Sequence, residues 1–142
     1  MNDNIVYMGV NVPGVASSRI HQAIIAQLVT GLMNLYLNRQ TRLFAYPEAM
    51  IDQSQTSPVP DLLVADPDTE LTSVLIEVTH TQGVKKDTQK LKELMVTYEV
   101  PEGFVYDYKL NIWHRYELDG PDSGEESSFC KAVNQSLGEF LF

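Results

Sequence analysis

The hydrophobic period changes abruptly at Gly83, and this change limits the folds open to the chain more than any other feature. Before it, residues 72–79 read as a strand, with Val74, Ile76 and Val78 on one face and Leu75, Glu77 and Thr79 on the other. After it, Leu91, Leu94, Met95 and Tyr98 mark one face of a helix over residues 84–99, which Pro101 and Gly103 end. Another strand-like run, residues 104–108, follows at once. Strand, helix and strand in immediate succession require a sheet with a helix packed on it.

The flanking segments extend that plan. Ser17 and Ser18 are N-cap candidates for a helix running to about residue 38, with Ile20, Ile24, Leu28, Leu32 and Leu35 as its buried stripe. Residues 42–46 read as a short strand stopped by Pro47, and residues 51–59 as a loop. Residues 62–65 form a strand joined to 72–79 through the turn Asp66-Pro67-Asp68-Thr69-Glu70. After the strand-like residues 110–118 comes a polar, acidic loop, then an expected amphipathic helix over residues 127–142. The predicted order is α-β-β-β-α-β-β-α: an α/β fold with a central mixed sheet flanked by helices. At 142 residues the chain fits one domain, residues 1–142, with a sizeable core.

A single cysteine, Cys130, cannot close an internal disulfide, which suits a reducing compartment. Residues 1–4 lack the basic start of a secretory leader. The apolar stretch 23–37 is broken by Gln27, Gly31 and Asn34, so a membrane span is not expected and a cytoplasmic location is. The net charge of −9 weighs against sequence-independent nucleic-acid binding. Its distribution is uneven, however. No acidic residue lies between Asn4 and Pro47, where Arg19, Arg39 and Arg42 are found, and Lys85, Lys86, Lys90 and Lys92 fall within eight positions.

Glu77 is the residue that breaks the core pattern. A carboxylate in mid-strand among apolar neighbours is costly unless it is paired, solvated in a cleft or bound to metal. If the hairpin is centred near Thr69, Asp61 stands directly opposite Glu77, and opposed side chains have Cβ atoms roughly 4.5–5.5 Å apart. Two carboxylates so placed repel unless a divalent cation lies between them, and hard oxygen ligands suit Mg²⁺ or Mn²⁺. A register slip of one residue would send them to opposite faces. Plainer readings stand beside this one. A Pro-Asp pair is common turn chemistry, and a strand glutamate can simply pair with Lys90 or Lys86. His21, following Ile20, reads as a helix-surface residue or one with a local role at the site, His80 as a loop cap or a residue at the site mouth, and Trp113 and His114 as part of a late strand.

Taken together, Pro60-Asp61, the strand end Ile76-Glu77-Val78-Thr79, Asp87 and Lys90 on the next helix, and the segment 100–107 resemble the Uma-type family of small bacterial endonucleases. That family is a branch of the PD-(D/E)xK, restriction-endonuclease-like superfamily, and the resemblance covers roughly residues 17–107. It implies metal-binding carboxylates at Asp61 and Glu77 and metal-assisted hydrolysis of phosphodiesters, with DNA favoured over RNA. The superfamily usually has a lysine two positions after the second acid; here that position is Thr79. A lysine of the following helix can replace it, with Lys90 first and Lys86 second. Many members also carry an acid on the first helix, which this chain lacks. Phosphate contacts are expected from Arg19, Lys85 and Lys86. The alternative is a non-catalytic nuclease-like module for binding nucleic acid or protein. A live site requires Asp61, Glu77 and one lysine to converge; a dead one would neutralise Glu77 by an internal salt bridge or point Lys90 to solvent. A homodimer is plausible on the base rate for soluble proteins.

Overall fold

Helix α1 (Arg19–Leu37) starts at Ser18, whose hydroxyl accepts the backbone N–H of His21 at 3.1 Å. This is the N-cap arrangement that satisfies one of the helix's orphan donors. The computed structural model describes residues 18–55 and 58–142; Ser17 and residues 1–4 lie outside the described residues. Ile24, Ile25, Leu28, Leu32 and Leu35 are buried, whereas Ile20, expected on the stripe, is 56% exposed. The first turn turns His21 rather than Ile20 toward the sheet. By length and composition alone α1 could cross a bilayer, contrary to the reading of its polar interruptions. Here its apolar stripe packs in the core cluster with the sheet.

Among the described residues six strands lie side by side in chain order: β1 (Phe44–Pro47), β2 (Leu62–Ala65), β3 (Thr72–Thr79), β4 (Glu102–Asp107), β5 (Ile112–Glu117) and β6 (Glu125–Glu126). All neighbours are antiparallel except β3 and β4, which run parallel because α2 (Val84–Tyr98) carries the chain back between them. The sheet is therefore mixed and covered on both faces. Val74, Ile76, Val78, Phe104 and Tyr106 pack with α1; Leu63, Leu75, Val105 and Tyr116 pack with Leu91, Leu94 and Met95 of α2. Alternation along each strand sends odd and even residues to different layers, so Glu77 faces the α2 side.

Gly103 fixes how closely α2 can approach. A Cβ at that position would stand 2.6 Å from Met95 Sδ and 3.0 Å from Leu91 Cδ2. Only glycine lets this part of the helix settle on β4, and that seats Lys90, next to Leu91, over the sheet. The helix ends at Glu99, in the left-handed region at φ 56°, and the Val100 N–H then closes on the Met95 carbonyl at 2.9 Å.

The C-terminal segment corrects the sequence reading. Residues 127–142 form no amphipathic helix; they fold as β7 (Phe129–Cys130) and β8 (Gln135–Ser136), an antiparallel pair, followed by a 3-10 turn over Leu137–Phe140. The expected acidic loop likewise contains β6. Apolar spacing in this segment mimicked a helix, but local polar chemistry wins. The Ser127 hydroxyl accepts from the Phe129 N–H, and Asn134 adopts φ 55° in the turn. Buried Glu102 then accepts the N–H groups of Lys131 and Ala132 at 2.8 and 3.2 Å, which a helix would need for itself. Cys130 is a buried free thiol here.

Candidate active site at the strand ends

The β2–β3 ladder pairs Leu62 with Ile76, Leu63 with Leu75 and Val64 with Val74, the register expected from the sequence. It slips only at the far end, where Ala65 meets Thr72. Asp61, one residue before β2, is thereby level with Glu77. Its Oδ2 accepts the Val78 N–H at 2.8 Å and lies 3.2 Å from His21 Nε2. The carboxylate thus satisfies a backbone amide of β3 beyond the last partner that β2 supplies.

Glu77 is 1% exposed. Its Oε1 accepts from Lys90 Nζ at 3.2 Å, while Oε2 is buried without a partner among the described residues. Burial, aided by the Asp61 carboxylate, pushes the Glu77 carboxyl up to about 9 against the pull of Lys90. Asp61 moves the other way. Burial raises it, but hydrogen bonds from His21 and Val78 and the positive charges of His21 and Lys90 outweigh that and hold it below its ordinary value. His21 is raised, chiefly by its hydrogen bond to Asp61. Without metal, neutral pH therefore finds one carboxyl ionised and its neighbour protonated.

These groups share a cleft of about 380 Å³ with Ser18, Thr79, His80, Asp87 and Tyr108. Thr79, at the usual lysine position, is buried and donates its hydroxyl to the His80 carbonyl at 3.3 Å. Gly83 presses on it, since a Cβ there would come within 2.2 Å of Thr79 Oγ1. Lys90 comes from α2 instead. Arg19, Lys85 and Lys86 are exposed and not part of the cleft wall. His114 and Trp113 lie on β5, where Trp113 stacks on Tyr106.

Among the described residues no three His, Cys, Asp or Glu side chains are grouped as a metal-binding cluster. Two carboxylates are a small set, and they match a cation that keeps several waters, such as Mg²⁺, better than one needing a full protein cage. The partnerless Glu77 Oε2 supplies a donor for it, and a divalent charge there would reverse the upward push on the carboxyl. Sequence reasoning underweighted His21 and did not single out two further contributors. Helical spacing favoured the surface for His21, with a local role left open, because its partner, Asp61, is 40 positions away. Asp107 and Tyr108 read only as the end of a strand. Asp107 is buried and accepts the Thr81 hydroxyl at 3.0 and 2.9 Å and the Lys109 N–H at 3.0 Å, pinning both connections that border the cleft.

No family model matches this sequence, and no curated protein sequence matches it significantly. Solved structures do match in fold. The chain superposes on a candidate nuclease of DUF820 from Anabaena variabilis with a TM-score of 0.70 and 13% identity, over 94% of this chain and 87% of that one. It also superposes on the type IIG restriction endonuclease BpuSI with a TM-score of 0.54 and 16% identity, over 75% of this chain but 12% of that enzyme. The mixed six-stranded sheet flanked by helices is a restriction-endonuclease-like nuclease fold.

Proposed function

We propose that this chain is a metal-dependent endonuclease of the Uma type that hydrolyses phosphodiester bonds, in DNA by the family resemblance. The observation that carries the reading is the convergence of Asp61, Glu77 and Lys90 on one cleft, with Glu77 Oε2 buried and unpaired among the described residues. A fold shared with a candidate nuclease and a restriction endonuclease supports it, and at these identities the likeness extends to the fold alone. Asp61 and Glu77 would hold Mg²⁺ or Mn²⁺. When bound, the cation supplies Lewis acidity toward a phosphoryl oxygen and acidifies a coordinated water. Lys90 Nζ would leave Glu77 Oε1 for the charge developing on the phosphate, the contribution expected of a preorganised cation in a shielded site. His21 and the Val78 N–H fix the Asp61 carboxylate in place, and locked Thr79 contributes no charge.

Calorimetric titration with Mn²⁺ tests this without a known substrate. Saturable binding is expected for the wild type and its loss for Asp61→Ala. Equal binding by both proteins would sink the carboxylate site. The second reading, a non-catalytic module, is favoured by the Lys90–Glu77 bridge and the net charge of −9. The bridge engages one oxygen only and does not bring the Glu77 carboxyl down to its ordinary range. Mn²⁺ binding without cleavage of single-stranded or duplex DNA would select that second reading.

A further inference from the structure

Exposed charge is found at both ends of the sheet. The cleft end, where β3 and β4 finish, carries exposed Arg19, Lys85, Lys86 and Lys109. Of the acids there, Asp61, Glu77 and Asp107 are largely enclosed, Asp87 is half-buried in the cleft wall, and Glu48 is exposed. Exposed Asp68, Glu70, Glu99, Asp119 and Asp122 follow the opposite strand and helix ends, together with exposed Arg39, Arg42 and Lys131. Four rim cations on a chain of charge −9 are a poor footprint for duplex, whose affinity rests on many phosphate contacts. Single strands have another source of affinity, stacking of bases on aromatic side chains.

The cleft supplies such a surface. Thr79 and Asp107 are partners in the parallel ladder, so His80 and Tyr108 emerge side by side from adjacent strands, and both line the cleft. Tyr108 is half-buried against the core cluster on the α1 side of the sheet. Its backbone N–H donates to the Thr79 carbonyl at 2.9 Å, and the next two N–H groups donate to Asp107. The ring is therefore carried on a pinned turn, as a preorganised contact needs. At about 380 Å³ the cleft is of a size to take a nucleotide's base.

We infer that Tyr108, with His80 beside it, forms a base-stacking subsite that makes the cleft selective for single-stranded nucleic acid over duplex. The inference rests on the nuclease reading of the cleft and names its substrate form. The test is fluorescence anisotropy with a labelled thymidine oligonucleotide, single-stranded or annealed to its complement, with Ca²⁺ present and low salt. Wild type is expected to bind the single strand more tightly. Tyr108→Leu, which keeps the apolar packing, should weaken single-strand binding roughly tenfold, and Tyr108→Phe should restore it. Preference for duplex, an unchanged Tyr108→Leu, or no binding of the single strand each overturns the subsite. Failure of the metal reading registers separately, as Mn²⁺ binding that does not need Asp61 while Tyr108-dependent strand binding persists.

Discussion

Glu77→Gln is expected to lose hydrolysis and gain stability at once. Activity should fall on the order of 10³-fold or more, because the amide can neither hold a divalent cation as a carboxylate does nor keep the charge relation to Lys90. Stability should move the opposite way. The folded carboxyl titrates at about 9, well above its ordinary value of 4.5. Between those values the folded state holds a proton that the unfolded state has released, so wild-type stability falls as pH rises through that window. The slope is at most about 1.4 kcal/mol per pH unit. Glutamine has nothing to ionise, and the slope should vanish in the variant. At pH 8 in EDTA, Glu77→Gln should melt about 5–10 °C above wild type, while at pH 4 the two should converge. Added Mn²⁺ should close the gap by raising the wild-type Tm alone, through binding to the folded state. A variant that melts below wild type at pH 8 would show that Glu77 is a stabilising ion-pair partner rather than a strained ligand.

That pairing of strain with function explains which parts of the molecule could be read in advance. Residues 62–65, 72–79 and the lysine-rich helix announce themselves through period, and the hairpin register follows from two short runs meeting around one turn. Asp61 and Glu77 were therefore legible: one breaks an apolar strand, the other is brought level with it by local pairing. His21 and Tyr108 were not, since what brings them to the cleft is the packing of α1 and the parallel β3–β4 ladder, contacts between segments distant in sequence. The C-terminal segment misled for a different reason. Its apolar residues recur at helical spacing, yet the amides of Lys131 and Ala132 are claimed by Glu102, a buried acid about 30 positions earlier, through a contact local patterning cannot reveal.

Arg115→Met should expose how much depends on that buried acid. The Arg115 guanidinium, 4% exposed, binds Glu102 through Nε at 2.9 Å and Nη2 at 2.7 Å, and also reaches Glu125 and Glu117 at 3.1 and 3.3 Å. Methionine fills similar space but leaves Glu102 buried with only backbone N–H groups and the Cys130 thiol around it. Removing one partner of a buried pair typically costs about 3–5 kcal/mol, because the other charge stays enclosed. Urea denaturation should report a loss of that order, and protease should nick the segment around residues 127–136 first. Adding Glu102→Gln to Arg115→Met should recover much of the loss, since the stranded charge is gone. An Arg115→Met protein within about 0.5 kcal/mol of wild type would mean the guanidinium is dispensable and the backbone N–H groups alone satisfy Glu102. Mn²⁺ binding per folded molecule should stay unchanged. Glu102 lies at the start of β4 and the cleft at its end, so the acid that organises the C-terminal hairpin and the acids that would hold metal are separated by the length of a strand.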